Sequence, residues 1–458
     1  MIWLGLALAA EPRVAPTALP PERPTVPALR EERLSGGAKV LLAEQGSVPL
    51  FEVDLAVTAQ VDTPLDRQLA QLAGELLGTG TTLRDGDAWQ DALTALGARA
   101  HFRFASRRLE ARLRVPRGNE EQALALLAEA VLEPRFDEGT VRVALEAWRQ
   151  DRASVPYTLQ RIHERALNHA LLPTGHPMRQ SGLLEDLDEL GGEAAQALLE
   201  RTLEHGRVTL AVVSDRDPAA LLPELERRFG GLDGAAEPQP YPSEVNPGAR
   251  WFVARSGFEV AKLSVAMPGP AMGDADEAPL RILTRLLMGG FDSRINMDLR
   301  EQQGLTYSAT GEMAAWQGMG TLRIDLLTPN DRAAEALLAV EGHLDRVEAE
   351  GVTQAEVDRA LAHLLLETAQ DFSRVESAGK QLFLAGFWSL GADVWDRNLD
   401  ALEAVTPADV ALAARKWLVP ERRVWVVTGS QLVVVPELER IDRTPDHLVS
   451  AEDVAAER

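Results

Sequence analysis

The sequence predicts an α+β protein built as two homologous lobes. Two observations carry that reading: strand-like and helix-like segments alternate along the chain, and one order of segments occurs twice, a little over 210 residues apart. In the first copy Val40-Leu41-Leu42 leads through a turn to Phe51-Glu52-Val53-Asp54-Leu55, whose alternation marks a strand. The helical segment LAQLAGELLG (Leu69 to Gly78) has its counterpart in LRILTRLLMG (Leu280 to Gly289), at an offset of 211. RLEARLRVPRGNEEQALALLAEAV reads as a strand ending near Pro116 and then an amphipathic helix. TLRIDLLTPNDRAAEALLAVEGHL repeats it and sets Pro329 against Pro116, at an offset of 213. The closing strands RVTLAVVSD and RRVWVVTGS set Val212 against Val426, at an offset of 214, each after a helical stretch.

These offsets divide the chain into a signal-like segment and extended leader (1–32), a first lobe (33–230), a linker (231–250), a second lobe (251–430) and a C-terminal tail (431–458). The linker, GLDGAAEPQPYPSEVNPGAR, is dense in Gly, Pro and polar residues, the composition of a surface connector. The leader is rich in Pro and Glu and carries no hydrophobic period. The apolar run MIWLGLALAAEP satisfies an A-x-A cleavage rule at Ala7-Leu8-Ala9 but lacks a basic start. It reads as a secretion signal, which predicts a periplasmic or otherwise exported protein; the alternative is a loose N-terminus on a cytoplasmic one. A mature anchor needs about 20 apolar residues, and no stretch here reaches that. No stable membrane anchor is expected.

Composition excludes several chemistries. With 47 basic and 70 acidic residues among 458, the formal net charge is −23, which argues against a nucleic-acid surface because phosphates must be met by clustered Lys and Arg. Cysteine is absent, which removes thiol nucleophiles, thiolate zinc sites and disulfides together. Eight histidines remain. His163 and His169 are six apart and share no helical face, and His176 sits in a GHP turn that suggests a structural hydrogen bond. His363 and Glu367 are spaced i,i+4, a pattern far commoner on a solvated helix face than in a metal site.

The order of elements resembles the insulinase/pitrilysin-like metallopeptidases, the inverzincins, from about Leu34 to Gly429. The resemblance rests on TGHPMRQSG (Thr174 to Gly182) with the EDLDEL run, ERRFGGL (Glu226 to Leu232), and GGFDSRINMDLREQQGLTYS (Gly289 to Ser308). It implies that each lobe is a mostly antiparallel sheet packed against helices, the half-clamshell of that family. Active members carry H-x-x-E-H on the first-lobe helix, where two imidazoles one turn apart ligate Zn²⁺ and the glutamate beside them serves as base. Here the matching residues read Gln71-Leu72-Ala73-Gly74-Glu75. Gln71 and Glu75 replace the histidines and Gly74 the base. The third-ligand region, Val141 to Glu146, aligns ambiguously, and two oxygen donors would not complete a site even with Glu146. The chain by itself is expected to hold no metal or cofactor and to hydrolyse nothing.

The second lobe holds a positive signal. NMDLREQQ reads as a helix ending at Gly304, and LTYSATGEM starts a strand, so Arg300 and Tyr307 can reach one side of the lobe. In the resembling family an arginine and a tyrosine at this spacing contact the substrate backbone and stabilise the tetrahedral intermediate. The bland alternative is a surface arginine at a helix C-terminus and a core tyrosine. The resemblance implies a non-zinc subunit that pairs with an H-x-x-E-H subunit holding the zinc and acts on small unfolded peptides; a homodimer is also conceivable. The competing expectation is an inert scaffold of the same fold, as in the respiratory-complex core proteins.

Overall fold

A computed structural model describes residues 22–456 except 46–47, 62, 106, 155–157, 180–186, 188, 233–238, 256 and 258. The signal-like segment, most of the leader, the end of the TGHPMRQSG motif, part of the EDLDEL run and the middle of the linker lie outside the described residues. Among the described residues twelve strands form: β1 (Arg30–Arg33), β2 (Lys39–Glu44), β3 (Leu50–Thr58), β4 (Arg99–Ala105), β5 (Arg108–Pro116), β6 (Val208–Ser214), β7 (Arg250–Ala254), β8 (Val260–Gly269), β9 (Ala309–Trp316), β10 (Met319–Pro329), β11 (Val424–Gly429) and β12 (His447–Ser450). They form two six-stranded sheets, ordered β1-β2-β6-β3-β5-β4 and β12-β7-β11-β8-β10-β9. Pairing is mostly antiparallel, with parallel β2–β6, β7–β11 and β7–β12 contacts.

Strand register establishes the internal repeat. Leu50 pairs with Pro116 in one sheet and Val260 with Pro329 in the other, so the two prolines are equivalent. The closing strand is off by one. Val212 pairs with Val53 and Leu42, whereas the residue paired with Leu263 and Phe252 is Val427, not Val426. A one-residue shift moves a side chain to the other face. Val212 and Val427 both point into their lobe's own core, while Val426 points to the seam between lobes.

That seam is made by an exchange of helices. Helix Leu159–Leu171, from the first half of the chain, lies on β8 and β11 of the second sheet, and helix Val375–Phe387 lies on β2, β3 and β6 of the first. The central strands are therefore covered on both faces, and β3 and β8 are buried almost end to end. The alternation of Phe51 to Leu55 suggests a solvated polar face, yet Glu52 and Asp54 are buried beneath the second-half helix. Gly379 makes room for them: a Cβ there would lie 2.6 Å from Glu52 Oε1 and 2.9 Å from Asp54 Oδ2. At the corresponding place in the other helix His163 is fully buried, its ring nitrogens 2.9 Å from Thr428 Oγ1 and 2.6 Å from Ser264 Oγ. Val375, Leu382, Phe383 and Phe387 are all buried at the seam. At roughly 1.5–3 kcal/mol per large apolar side chain, an upper-bound scale, these four alone make separation of the lobes costly.

The C-terminal segment read as a tail is built into the second lobe. Helix Gln431–Arg440 packs on helix Ala333–Glu350, and β12 adds an edge strand beside β7. From the leader, Arg23 reaches the opposite lobe and pairs with Asp400 at 2.6 Å and Glu403 at 2.9 Å.

Candidate functional site

The degenerate zinc motif sits on helix Pro64–Leu76. Thr63 caps it by accepting the Asp66 N–H, Pro64 occupies the first turn, and Leu69, Leu72, Ala73 and Leu76 form the buried stripe. This phasing leaves Gln71 and Glu75 exposed one turn apart, as the motif requires. The Gln71 amide nitrogen and both Glu75 oxygens are already engaged. Gln71 Nε2 donates to Glu75 Oε1 at 3.2 Å, and the Trp148 indole N–H donates to Glu75 Oε2 at 2.7 Å. Glu146, on the same helix as Trp148, faces Arg149 and Gln150 instead. No cluster of three metal-binding side chains occurs among the described residues. An amide and one occupied carboxylate do not fit a zinc ion.

Gly74 has a structural reason beyond the missing base. The backbone of β4 lies against it, and a Cβ would stand 2.7 Å from the Phe104 nitrogen and 3.0 Å from Arg103 Cα. The space that a base would need holds the edge strand.

Arg300 and Tyr307 lie side by side in the second lobe. Helix Glu277–Met288 ends at Gly289, the turn Gly290-Phe291-Asp292 follows, and residues Asn296–Gln302 form a π-helical turn rather than a regular α-helix. Gly304 reverses the chain at φ +61°, the left-handed conformation that glycine adopts freely, before β9. Asn296 fastens the whole segment. Its amide nitrogen donates to Ala309 O at 2.7 Å and Gly290 O at 3.0 Å, and its oxygen accepts the Ala309 N–H at 2.8 Å. On the other side Asp298 accepts from His343 Nε2 and Gln303 Nε2, both at 2.8 Å; these bonds hold its carboxyl below the usual range despite burial.

The Arg300 guanidinium lies close to two rings. Its central carbon is 4.6 Å from the Phe291 ring centre and 5.0 Å from that of Tyr307. Its Nε lies 3.3 Å from Glu301 Oε1, and its Nη1 is buried with no hydrogen-bond partner among the described residues. Tyr307 is 83% exposed and Phe291 72%, so Tyr307 does not fill a core. Stacking fixes the plane of the guanidinium fork while leaving N–H groups to offer. Phe291 and Asn296 escape motif reading; the only signal was that both lie inside the GGFDSRINMDLREQQGLTYS segment.

His176, His163 and His169 have structural settings. His176 accepts the Met178 N–H at Nδ1, and its Nε2 lies 3.1 Å from the Pro242 carbonyl, the turn role its motif suggested. Burial drives His163 well below its ordinary pKa and His169 down to about 4. His363 faces Asp292, at 3.7 Å.

Paired sheet-and-helix lobes, a motif helix whose Gln71 and Glu75 bond each other, and an exposed Arg–Tyr pair define a peptidase-like fold. Residues 193–364 match the family described as "Peptidase M16 inactive domain". An uncharacterized zinc protease of Streptomyces coelicolor is 22% identical over 245 residues, 51% of this chain and 52% of that protein. The chain thus spans about half the length of that curated relative. Among solved structures, a peptidase M16 inactive domain from Pseudomonas fluorescens superposes with a TM-score of 0.78 at 22% identity, over 88% of this chain and 98% of that one. The periplasmic protease PqqL of Escherichia coli gives 0.75 at 14% identity, over 93% of this chain but 48% of its own. Over residues 193–364 the chain thus matches the M16 inactive domain, and its sequence lacks the H-x-x-E-H motif of the insulinase/pitrilysin-like peptidases that it resembles.

Proposed function

We propose that this chain is the non-zinc subunit of a two-chain zinc peptidase and lends Arg300 and Tyr307 to a partner that carries H-x-x-E-H. One observation supports this above the rest: the Arg300 guanidinium lies against two exposed rings, Phe291 and Tyr307. A surface charge at a helix end needs no such rings, whereas a group that presents its fork to a peptide carbonyl gains from them. The half-length overlap with PqqL agrees with a chain that requires a second of similar size.

In this reading the partner's zinc supplies Lewis-acid polarisation when bound. The residues of this chain orient the substrate: the Arg300 fork donates N–H bonds to a peptide carbonyl, and the Tyr307 hydroxyl donates to the oxygen on which negative charge develops. Such donors act without reorganising at the moment of reaction. An exported location, read from the N-terminal apolar run, belongs to the same proposal; N-terminal sequencing of the mature chain checks it.

The test is peptide hydrolysis by an equimolar mixture with an H-x-x-E-H partner chain. Tyr307→Phe should lower kcat by about 10²–10³, the effect of removing one oxyanion donor, with KM little changed. Arg300→Lys keeps the charge but loses the fork and should lose activity comparably. Full activity in both variants overturns the assignment and leaves the scaffold reading.

A further inference from the structure

A cavity of about 200 Å³ opens far along the chain from Arg300, where three parts of the protein meet. The end of β3 and the β4–β5 hairpin form one wall, and the last turn of helix Gly192–His205 forms another. The linker residues Gln239 and Tyr241, with the end of helix Val375–Phe387, close the base. The floor is aromatic: Tyr241, Phe387 and Trp388 are all buried, with Phe387 edge-on to Trp388 at 4.8 Å and Tyr241 6.2 Å from Trp388.

The walls are cationic. Arg107, Arg108, Arg201 and His205 line the cavity and, among the described residues, no carboxylate does, although Glu204 stands 3.8 Å from His205 Nε2 outside it, in a chain of net charge −23. Arg108 bonds Glu110 through Nε and lies 5.0 Å from the Phe387 ring centre. Arg201 gives Nη2 to Asp66 at 2.8 Å. Each guanidinium carries five N–H groups, so these single bonds leave donors toward the cavity. Arg201 and His205 stand at the open side, with side chains 54% and 65% exposed. An apolar cavity of roughly 150 Å³ holds a benzene ring, so this volume suits one compact aromatic or branched aliphatic group.

We propose that the cavity binds an organic carboxylate with such an apolar body, its carboxylate at Arg201 and His205 and its body on the Tyr241, Phe387 and Trp388 floor. Two sources present this chemistry, a free small acid and the C-terminal residue of a peptide. The site uses neither Arg300 nor Tyr307 and stands apart from the peptidase-subunit reading. Because its walls come from the first lobe, the linker and the exchanged helix, an occupant ties these three together and should raise the melting temperature.

The experiment uses the full chain with N-acetylphenylalanine and its uncharged amide, by calorimetry and tryptophan fluorescence. The acid should bind about tenfold or more tightly than the amide, the value of one charge-assisted hydrogen bond. The double variant Arg201→Gln/His205→Gln should lose that preference and, since both residues are exposed, melt as the wild type does without ligand. Trp388→Phe should keep binding and lose most of the fluorescence change. A pentapeptide ending in phenylalanine, with free or amidated C-terminus, identifies the source: binding of the free form assigns peptide C-termini, and binding of the small acid alone assigns a metabolite. The proposal fails if acid and amide bind alike, if the acid does not bind by about 10 mM, or if the double variant binds as the wild type does.

Discussion

Gly74 decides whether the first lobe can be given back a zinc site. Helix propensity alone predicts that Gly74→Ala stabilises helix Pro64–Leu76 by about 1 kcal/mol. Packing predicts the opposite. The new Cβ would stand 2.7 Å from the Phe104 nitrogen and 3.0 Å from two Arg103 backbone atoms, and backbone cannot rotate away as a side-chain tip can. Overpacking of this kind costs about 1–3 kcal/mol, so the balance is a net loss of up to about 2 kcal/mol. Gly74→Glu adds a carboxylate to the same collision. The triple variant Gln71→His/Gly74→Glu/Glu75→His should therefore melt several degrees below the wild type and bind no stoichiometric zinc, although it spells the complete motif. Differential scanning calorimetry and elemental analysis read both outcomes. A Gly74→Ala variant that melts above the wild type, or a triple variant holding one zinc per chain, refutes the argument that β4 occupies the site.

Two further predictions concern buried polar groups. Burial raises the Glu52 carboxyl to about 8 and the neighbouring Asp54 to about 6, against ordinary values of 4.5 and 3.8. The folded state thus holds protons that the unfolded chain has released, and stability should fall as pH rises from about 4.5 to 8. Glu52→Gln should flatten that fall and raise the melting temperature at pH 8 while changing little at pH 5; an unchanged slope contradicts it. Asn296→Ala would leave the Ala309 N–H and two carbonyls without their partner, a loss of at least about 3 kcal/mol at one to three per buried group. It should also lower turnover of the paired enzyme without touching substrate, and loss of melting temperature with full turnover would separate the two roles of the segment.

The sequence carried the repeat, and the reason is physical: apolar periodicity and turn residues are local. The equivalence of Pro116 and Pro329 follows from strand ends, and the Gly304 turn from its place after a helix. The loss of H-x-x-E-H was legible as plain residue identity. The exchange of helices was not, because the patterns of Leu159–Leu171 and Val375–Phe387 give each an apolar face without saying which sheet it covers. For the same reason Glu52 and Asp54 looked solvated, when a helix more than 300 residues away buries them. Gly74 read as a missing base, while its contact with β4 is a tertiary fact that no local pattern records. Phe291 looked like part of a short turn; only the folded segment brings its ring, like that of Tyr307, against the Arg300 guanidinium.

Titration of a zinc-loaded H-x-x-E-H partner with this chain, followed by peptide hydrolysis and elemental analysis, tests the central claim most directly. The account predicts no zinc and no hydrolysis in this chain alone, with activity that rises on mixing and levels off at one chain per partner. Stoichiometric zinc and peptide cleavage by this chain in isolation would contradict it.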